Sequence, residues 1–124
     1  MKCIVRDGGR VLFVRHTYGD RTAWELPGGG LRRDEAPEAA VRREMREELG
    51  VDLTGLREVG RVEVSGNRKD TQLFCFEAEL AGASVCLDRG ELAEGRWASP
   101  EAPPEPLSAD AATLLRLLGT ARPA

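Results

Sequence analysis

The run from Pro37 to Leu49, PEAAVRREMREEL, reads as an α-helix and is followed by Gly50, the residue type that most readily closes a helix in the left-handed conformation. Proline suits the first turn, where its missing N–H has no helical partner to lose. Val41, Met45 and Leu49 recur at i, i+4 and i+8 and give the helix a stripe for a core. Glu44, Glu47 and Glu48 share the neighbouring face at i, i+3 and i+4. Like charges at that spacing repel, and close to Gly50 they also crowd the negative pole of the helix dipole. Two arrangements relieve the conflict. One is a divalent cation held by carboxylate oxygens; the other is a solvated face neutralised by Arg42, Arg43 and Arg46. Core, carboxylates and solvent each take one sector, with Ala39, Arg42 and Arg46 in the last. Ala36 stands where a capping Ser or Thr is expected, so the helix start is weakly capped unless Asp34 substitutes.

Around this helix the pattern is mostly strand. Lys2 to Val5 and Val11 to Arg15 are β-rich runs flanking Asp7-Gly8-Gly9, a hairpin signal. Thr17 to Thr22 reads as a polar loop, and Ala23 to Leu26 as a short strand running into Gly28, Gly29 and Gly30. Leu56 to Val64 and Thr71 to Leu80 read as paired strands about a turn at Ser65-Gly66-Asn67. Weaker strands are expected at Ser84 to Leu87 and at Gly95 to Ala98. Pro100 to Pro106 is a stiff connector, after which Ser108 caps a second helix through Leu118, with Gly119 as its stop.

A chain of 124 residues with 31% charged and 41% hydrophobic residues supports one domain, spanning 1–124, with one core. Its net charge of -3 argues against a protein that coats nucleic acid or an anionic membrane. Cys3, Cys75 and Cys86 have no metal-ligand spacing and lie in apolar runs, so they are expected to be buried, reduced core residues of a cytoplasmic protein. Arg6 and Asp7 interrupt the N-terminal apolar run, leaving no stretch for a signal peptide or membrane span. The chain enters directly on a strand, and a sheet edge left open in this way invites pairing with a second copy; monomer and homodimer are both consistent with the sequence.

Gly29, Glu35 and the run Arg43-Glu44-Met45-Arg46-Glu47-Glu48-Leu49-Gly50-Val51 fill the defining positions of the Nudix box. The preceding Trp24-Glu25-Leu26-Pro27-Gly28 resembles that family's lead-in strand and loop, and a looser likeness extends from about residue 2 to residue 100. Two positions depart from the common pattern: Arg32 replaces a frequent acid, and Asp34 replaces a glycine. The chain thus resembles a MutT-like Nudix hydrolase. That resemblance implies an α+β fold, an α/β/α sandwich on a mixed sheet, and metal-dependent hydrolysis of a nucleoside diphosphate linked to another moiety. It also implies Mg²⁺ or Mn²⁺ held by Glu44, Glu47, Glu48 and the backbone carbonyl of Gly29, with Glu35 and Arg43 bracing the loop against the helix. Glu91 and Glu94 resemble the additional glutamate, metal ligand or general base, that relatives supply ahead of a late strand. Tyr18 and Trp24 are candidates for stacking on substrate, Trp97 for the core, and His16 for a strand-end histidine with a structural partner.

The substrate is less constrained. Where ADP-ribose-directed members carry a proline past the box this chain has Gly66, and where dinucleoside-polyphosphate members carry a tyrosine it has Asn67. The signature upstream of the box in coenzyme A-directed members is missing. Elimination leaves nucleoside triphosphates, damaged or non-standard ones included, as the leading small-molecule substrate. ADP-ribose, dinucleoside polyphosphates, and a nucleotide-sensing module without turnover remain alternatives. The complete acidic cluster speaks against the sensor, since a pure binder has no use for all of it.

Overall fold

The structure is a computed structural model and describes residues 1–65, 70–80 and 84–121. Its elements in chain order are β1 (Lys2–Asp7), β2 (Arg10–His16), α1 (Pro37–Leu49), β3 (Leu53–Ser65), β4 (Asp70–Leu80), β5 (Leu92–Ala98) and α2 (Ala109–Ala121). The five strands form one mixed sheet in the order β3-β4-β1-β2-β5. β1 runs parallel to β4, and the other pairs are antiparallel. The hairpin between β1 and β2 turns at Gly8, where φ is 63°.

Alternation along β1 and β2 divides the core in two. Cys3, Val5, Leu12 and Val14 point to one face and pack with Val41, Met45 and Leu49 of α1. Ile4, Val11 and Phe13 point to the other and pack with Ala111 and Leu114 of α2. The result is the expected helix–sheet–helix sandwich. Full burial of side chains such as Phe13, Ile4 and Met45 contributes about 1.5–3 kcal/mol each.

Helix α1 begins at Pro37 as expected, and Ala36 makes no side-chain cap bond. Asp34 does not serve as the cap; it holds φ at 60°, a left-handed turn suited to the glycine it replaces and tolerated by Asp. At the other end Gly50 adopts φ 66° and donates its N–H to the Arg46 carbonyl. Ser108 caps α2 by accepting from Ala111 N–H at 3.2 Å.

Four expectations need correction and one lies out of reach. Ala23 to Leu26 forms no strand of its own; Trp24 and Glu25 make isolated bridges to Leu107 and Val14. Gly119 does not stop α2, which runs on to Ala121. Residues 84–88 form no strand either. Their N–H groups turn instead to the open carbonyls at the end of α1, Cys86 to Leu49 O at 2.9 Å and Asp88 to Glu48 O at 2.8 Å. Cys86 is therefore exposed on this strap, whereas Cys3 and Cys75 are buried as expected. Burial pushes the Cys75 thiol up to about 12, which leaves it inert. The turn at Gly66 and Asn67 lies outside the described residues. Among those described, no helix is long and apolar enough to cross a membrane.

Candidate active site

The glycine loop is fixed by the start of β1. Cys3 donates its N–H to Pro27 O at 2.8 Å, and Gly29 donates to Met1 O at 3.0 Å. A Cβ on Gly28 would lie 2.1 Å from Met1 O, so only glycine permits this crossing. A Cβ on Gly29 would lie 2.6 Å from the Glu44 carboxyl carbon. The bare Gly29 backbone thus lets the Glu44 carboxylate come up against the loop.

Arg43 binds the loop to the helix. Its Nε and Nη2 each donate at 2.8 Å to the two oxygens of Glu35, and Nη2 also donates to Gly30 O at 3.1 Å. Nη1 donates to Glu44 at 2.8 Å and reaches Glu47 at 3.4 Å. These bonds hold the Glu35 carboxyl down to about 2. Glu35 also accepts the Arg32 N–H at 2.9 Å, so it closes the turn that Asp34 makes.

Glu48 differs from its neighbours. It is buried, and its Oε2 has no hydrogen-bond partner. Burial, followed by the charges of Glu44 and Glu91, raises its carboxyl to about 8. Glu47 is half-exposed and leans on Arg43 and Arg32.

Glu44, Glu47, Glu48 and the three glycines line a cleft of about 280 Å³ together with Tyr18, Asp88 and Glu91. The strap between α1 and β5 delivers Asp88 and Glu91 to it. Sequence reasoning missed Asp88; the signal was Asp88-Arg89-Gly90, a turn in which the Asp88 carboxylate accepts the Gly90 N–H at 3.0 Å. Tyr18, 56% exposed, also borders a second cavity of about 380 Å³ lined by His16, Glu25 and Ser108. His16 has the structural partner expected of it, Glu25 Oε2 at 3.1 Å.

Two expected site residues are elsewhere. Glu94 faces Arg15 across the β2–β5 pair and binds its guanidinium. Arg15 shares the strand face of Phe13, so Glu94 lies on the α2 side of the sheet, away from the α1 carboxylates. Trp24 is buried among the α2-side residues, with the guanidinium carbons of Arg96 and Arg15 4.7 and 5.1 Å from its ring centroid. It cannot stack on a ligand in the acidic cleft. Trp97 packs half-buried against the α1-side core, as expected.

Among the described residues no group of three or more His, Cys, Asp or Glu side chains is gathered to hold a metal ion as it stands. The chemistry of the cleft nonetheless fits a hard cation. Its polar side chains are carboxylates and one phenol; one buried carboxylate oxygen is unpartnered, and the Gly29 carbonyl beside Glu44 already accepts a cation, the N-terminal ammonium, at 2.6 Å.

A helix–sheet–helix sandwich with an acidic cleft at the glycine loop defines a class, and the comparisons with known proteins agree. The NUDIX domain profile matches residues 2–118, so the chain belongs to the NUDIX family. A MutT-like protein of Streptomyces ambofaciens is 47% identical over 58 residues, covering 43% of this chain and 36% of that protein. This chain thus spans about a third of that relative's length. An RNA pyrophosphohydrolase of Marinomonas sp. is 28% identical over 116 residues, covering 77% of this chain and 71% of that one. A MutT NUDIX hydrolase from Burkholderia pseudomallei superposes with a TM-score of 0.84 at 22% identity over 94% of both chains.

Proposed function

We propose that this chain is a divalent-cation-dependent pyrophosphohydrolase. It cleaves a phosphoanhydride bond in a nucleoside diphosphate linked to another moiety, with nucleoside triphosphates, damaged ones included, as the leading substrate class. The observation that carries this reading is the buried, unpartnered Oε2 of Glu48 beside Glu44. A folded protein keeps such a costly pair when something cationic shares the site.

Glu44, Glu47, Glu48 and the Gly29 carbonyl, once the ion displaces the N-terminal ammonium that the carbonyl accepts at 2.6 Å, would hold Mg²⁺ or Mn²⁺. When bound, the ion neutralises the phosphates, polarises the phosphoryl oxygens and lowers the pKa of bound water. The remaining work belongs to the chain. Arg43 and Glu35 keep the loop at the distance the ligands require, and Glu91 accepts a proton from the attacking water. Tyr18 flanks the substrate where the cleft meets the second cavity, which has room for the part of a nucleotide beyond its phosphates.

The test is a substrate panel read by phosphate release and product mass. Nucleoside triphosphates, ADP-ribose, dinucleoside polyphosphates and 5′-triphosphorylated RNA are each supplied with Mg²⁺, Mn²⁺ or EDTA. Turnover of triphosphates with either ion and none in EDTA is expected. Preference for the RNA, which the Marinomonas relative's name brings into the panel, would move the substrate class. Tight binding with no turnover of any member would make the chain a nucleotide sensor instead.

A further inference from the structure

Thr17 lies beside the acidic cleft without lining it, yet it is bonded to the backbone that carries Glu91. The register of β2 against β5 breaks between Arg15 and His16, so Arg15 faces Glu94 while His16 faces Leu92. This shift brings Thr17 opposite the turn that precedes β5. Its N–H donates to Glu91 O at 3.0 Å, and its hydroxyl donates to Gly90 O at 2.8 Å. The hydroxyl also lies 3.3 Å from Glu91 O. On its other side the same turn is held by Asp88, whose N–H reaches Glu48 O and whose carbonyl accepts from Glu91 and Leu92 N–H at 3.0 and 2.8 Å.

Resting on the reading of Glu91 above, we propose that Thr17 is a positioning residue that sets where the Glu91 carboxylate stands in the cleft. Gly90 and Glu91 are exposed, and packing alone does not fix their peptide. Gly90 has no side chain to limit its rotation. The strap is anchored to α1 through Asp88, and to β2 through Thr17. Loss of the Thr17 hydroxyl leaves the Asp88 turn and the Thr17 N–H bond to Glu91 O in place but frees the Gly90 carbonyl, so the Gly90–Glu91 peptide tilts about its remaining bonds and shifts the carboxylate with it. Displacement of a proton acceptor by about 1 Å is enough to cost up to 10²-fold in rate. The Thr17 hydroxyl bonds only the Gly90–Glu91 backbone and none of the side chains assigned to the metal or the substrate.

Thr17→Val deletes the hydroxyl and keeps both shape and backbone N–H; Thr17→Ser keeps the hydroxyl. Steady-state kinetics on the best nucleoside triphosphate, with the folded fraction checked by circular dichroism, read the effect. The valine variant is expected to lose about tenfold or more in kcat with KM unchanged within about twofold, and the serine variant to recover most of it. In a Glu91→Gln background Thr17→Val is expected to add no further loss, because its effect passes through a carboxylate already removed. Wild-type kcat in Thr17→Val beside a damaged Glu91→Gln overturns this assignment alone. Wild-type turnover in Glu91→Gln overturns the reading of Glu91 and this assignment with it. An equal further loss in the double variant, or failure of serine to rescue, shows Thr17 acting by another route and also overturns the assignment.

Discussion

At the scale of the residue, Glu48 is the costliest side chain in the cleft when no cation is bound. Burial and then the Glu44 and Glu91 charges raise its carboxyl to about 8 in the folded protein. In the unfolded chain a glutamate titrates at about 4.3. Between those values the folded protein keeps a proton that the unfolded chain releases, so rising pH erodes stability across that window and the full penalty holds above it. Glu48→Gln removes this titration, and its amide can donate to Glu44. The metal-free variant should therefore be more stable than the parent by about 0.5–2 kcal/mol at pH ~9, with little gain at pH ~5. The same change should remove most of the stabilisation that Mn²⁺ provides and most of the activity, since a ligand is lost. Urea unfolding in EDTA and in excess Mn²⁺ measures both. A destabilised metal-free variant with a normal metal response would mean that Glu48 serves structure instead.

At the scale of the element, the glycine loop and α1 form one unit because Arg43 joins them. Its planar fork meets both Glu35 oxygens while the same guanidinium reaches Gly30 O and Glu44. Lysine supplies the charge as a point and cannot reproduce those directions. Arg43→Lys is expected to weaken metal affinity and activity by about 10–100-fold with the helix content unchanged. Mn²⁺ titration followed by activity and circular dichroism checks it; full metal affinity in the variant would show that the loop needs no clamp. Of this unit, helical spacing made the Arg43–Glu47 pair legible; the hold of Arg43 on Glu35 and the loop came from the family likeness, because Glu35 and Gly30 precede the helix. The strap at 84–91 was not legible. Val85, Cys86 and Leu87 suggest a strand, but their backbone is claimed by the carbonyls of α1, a non-local demand that no local pattern records.

At the scale of the molecule, the sheet separates two chemistries. The α1 side carries the carboxylate cleft; the α2 side carries Trp24 with the Arg15 and Arg96 guanidiniums over its ring, and Glu94 binding the Arg15 guanidinium. The two-helix sandwich on a mixed sheet follows from the strand and helix patterns and from the family likeness, so it was readable in advance; the strand order was not. Which of Glu91 and Glu94 enters the cleft was not, because the answer turns on the register break between Arg15 and His16, and a one-residue slip moves a side chain to the opposite face. The two glutamates now make a matched pair for testing the whole arrangement. Glu91→Gln is expected to lower kcat by about 10²–10⁴-fold, the range typical of a lost proton acceptor. Glu94→Gln leaves the cleft untouched and should keep kcat within about twofold; it weakens a half-exposed pair with Arg15, worth about 0–1 kcal/mol. Kinetics and thermal unfolding of both variants in Mg²⁺ read the contrast directly. A loss of turnover in Glu94→Gln with none in Glu91→Gln would place the working carboxylate on the α2 side of the sheet and sink the assignment of the cleft.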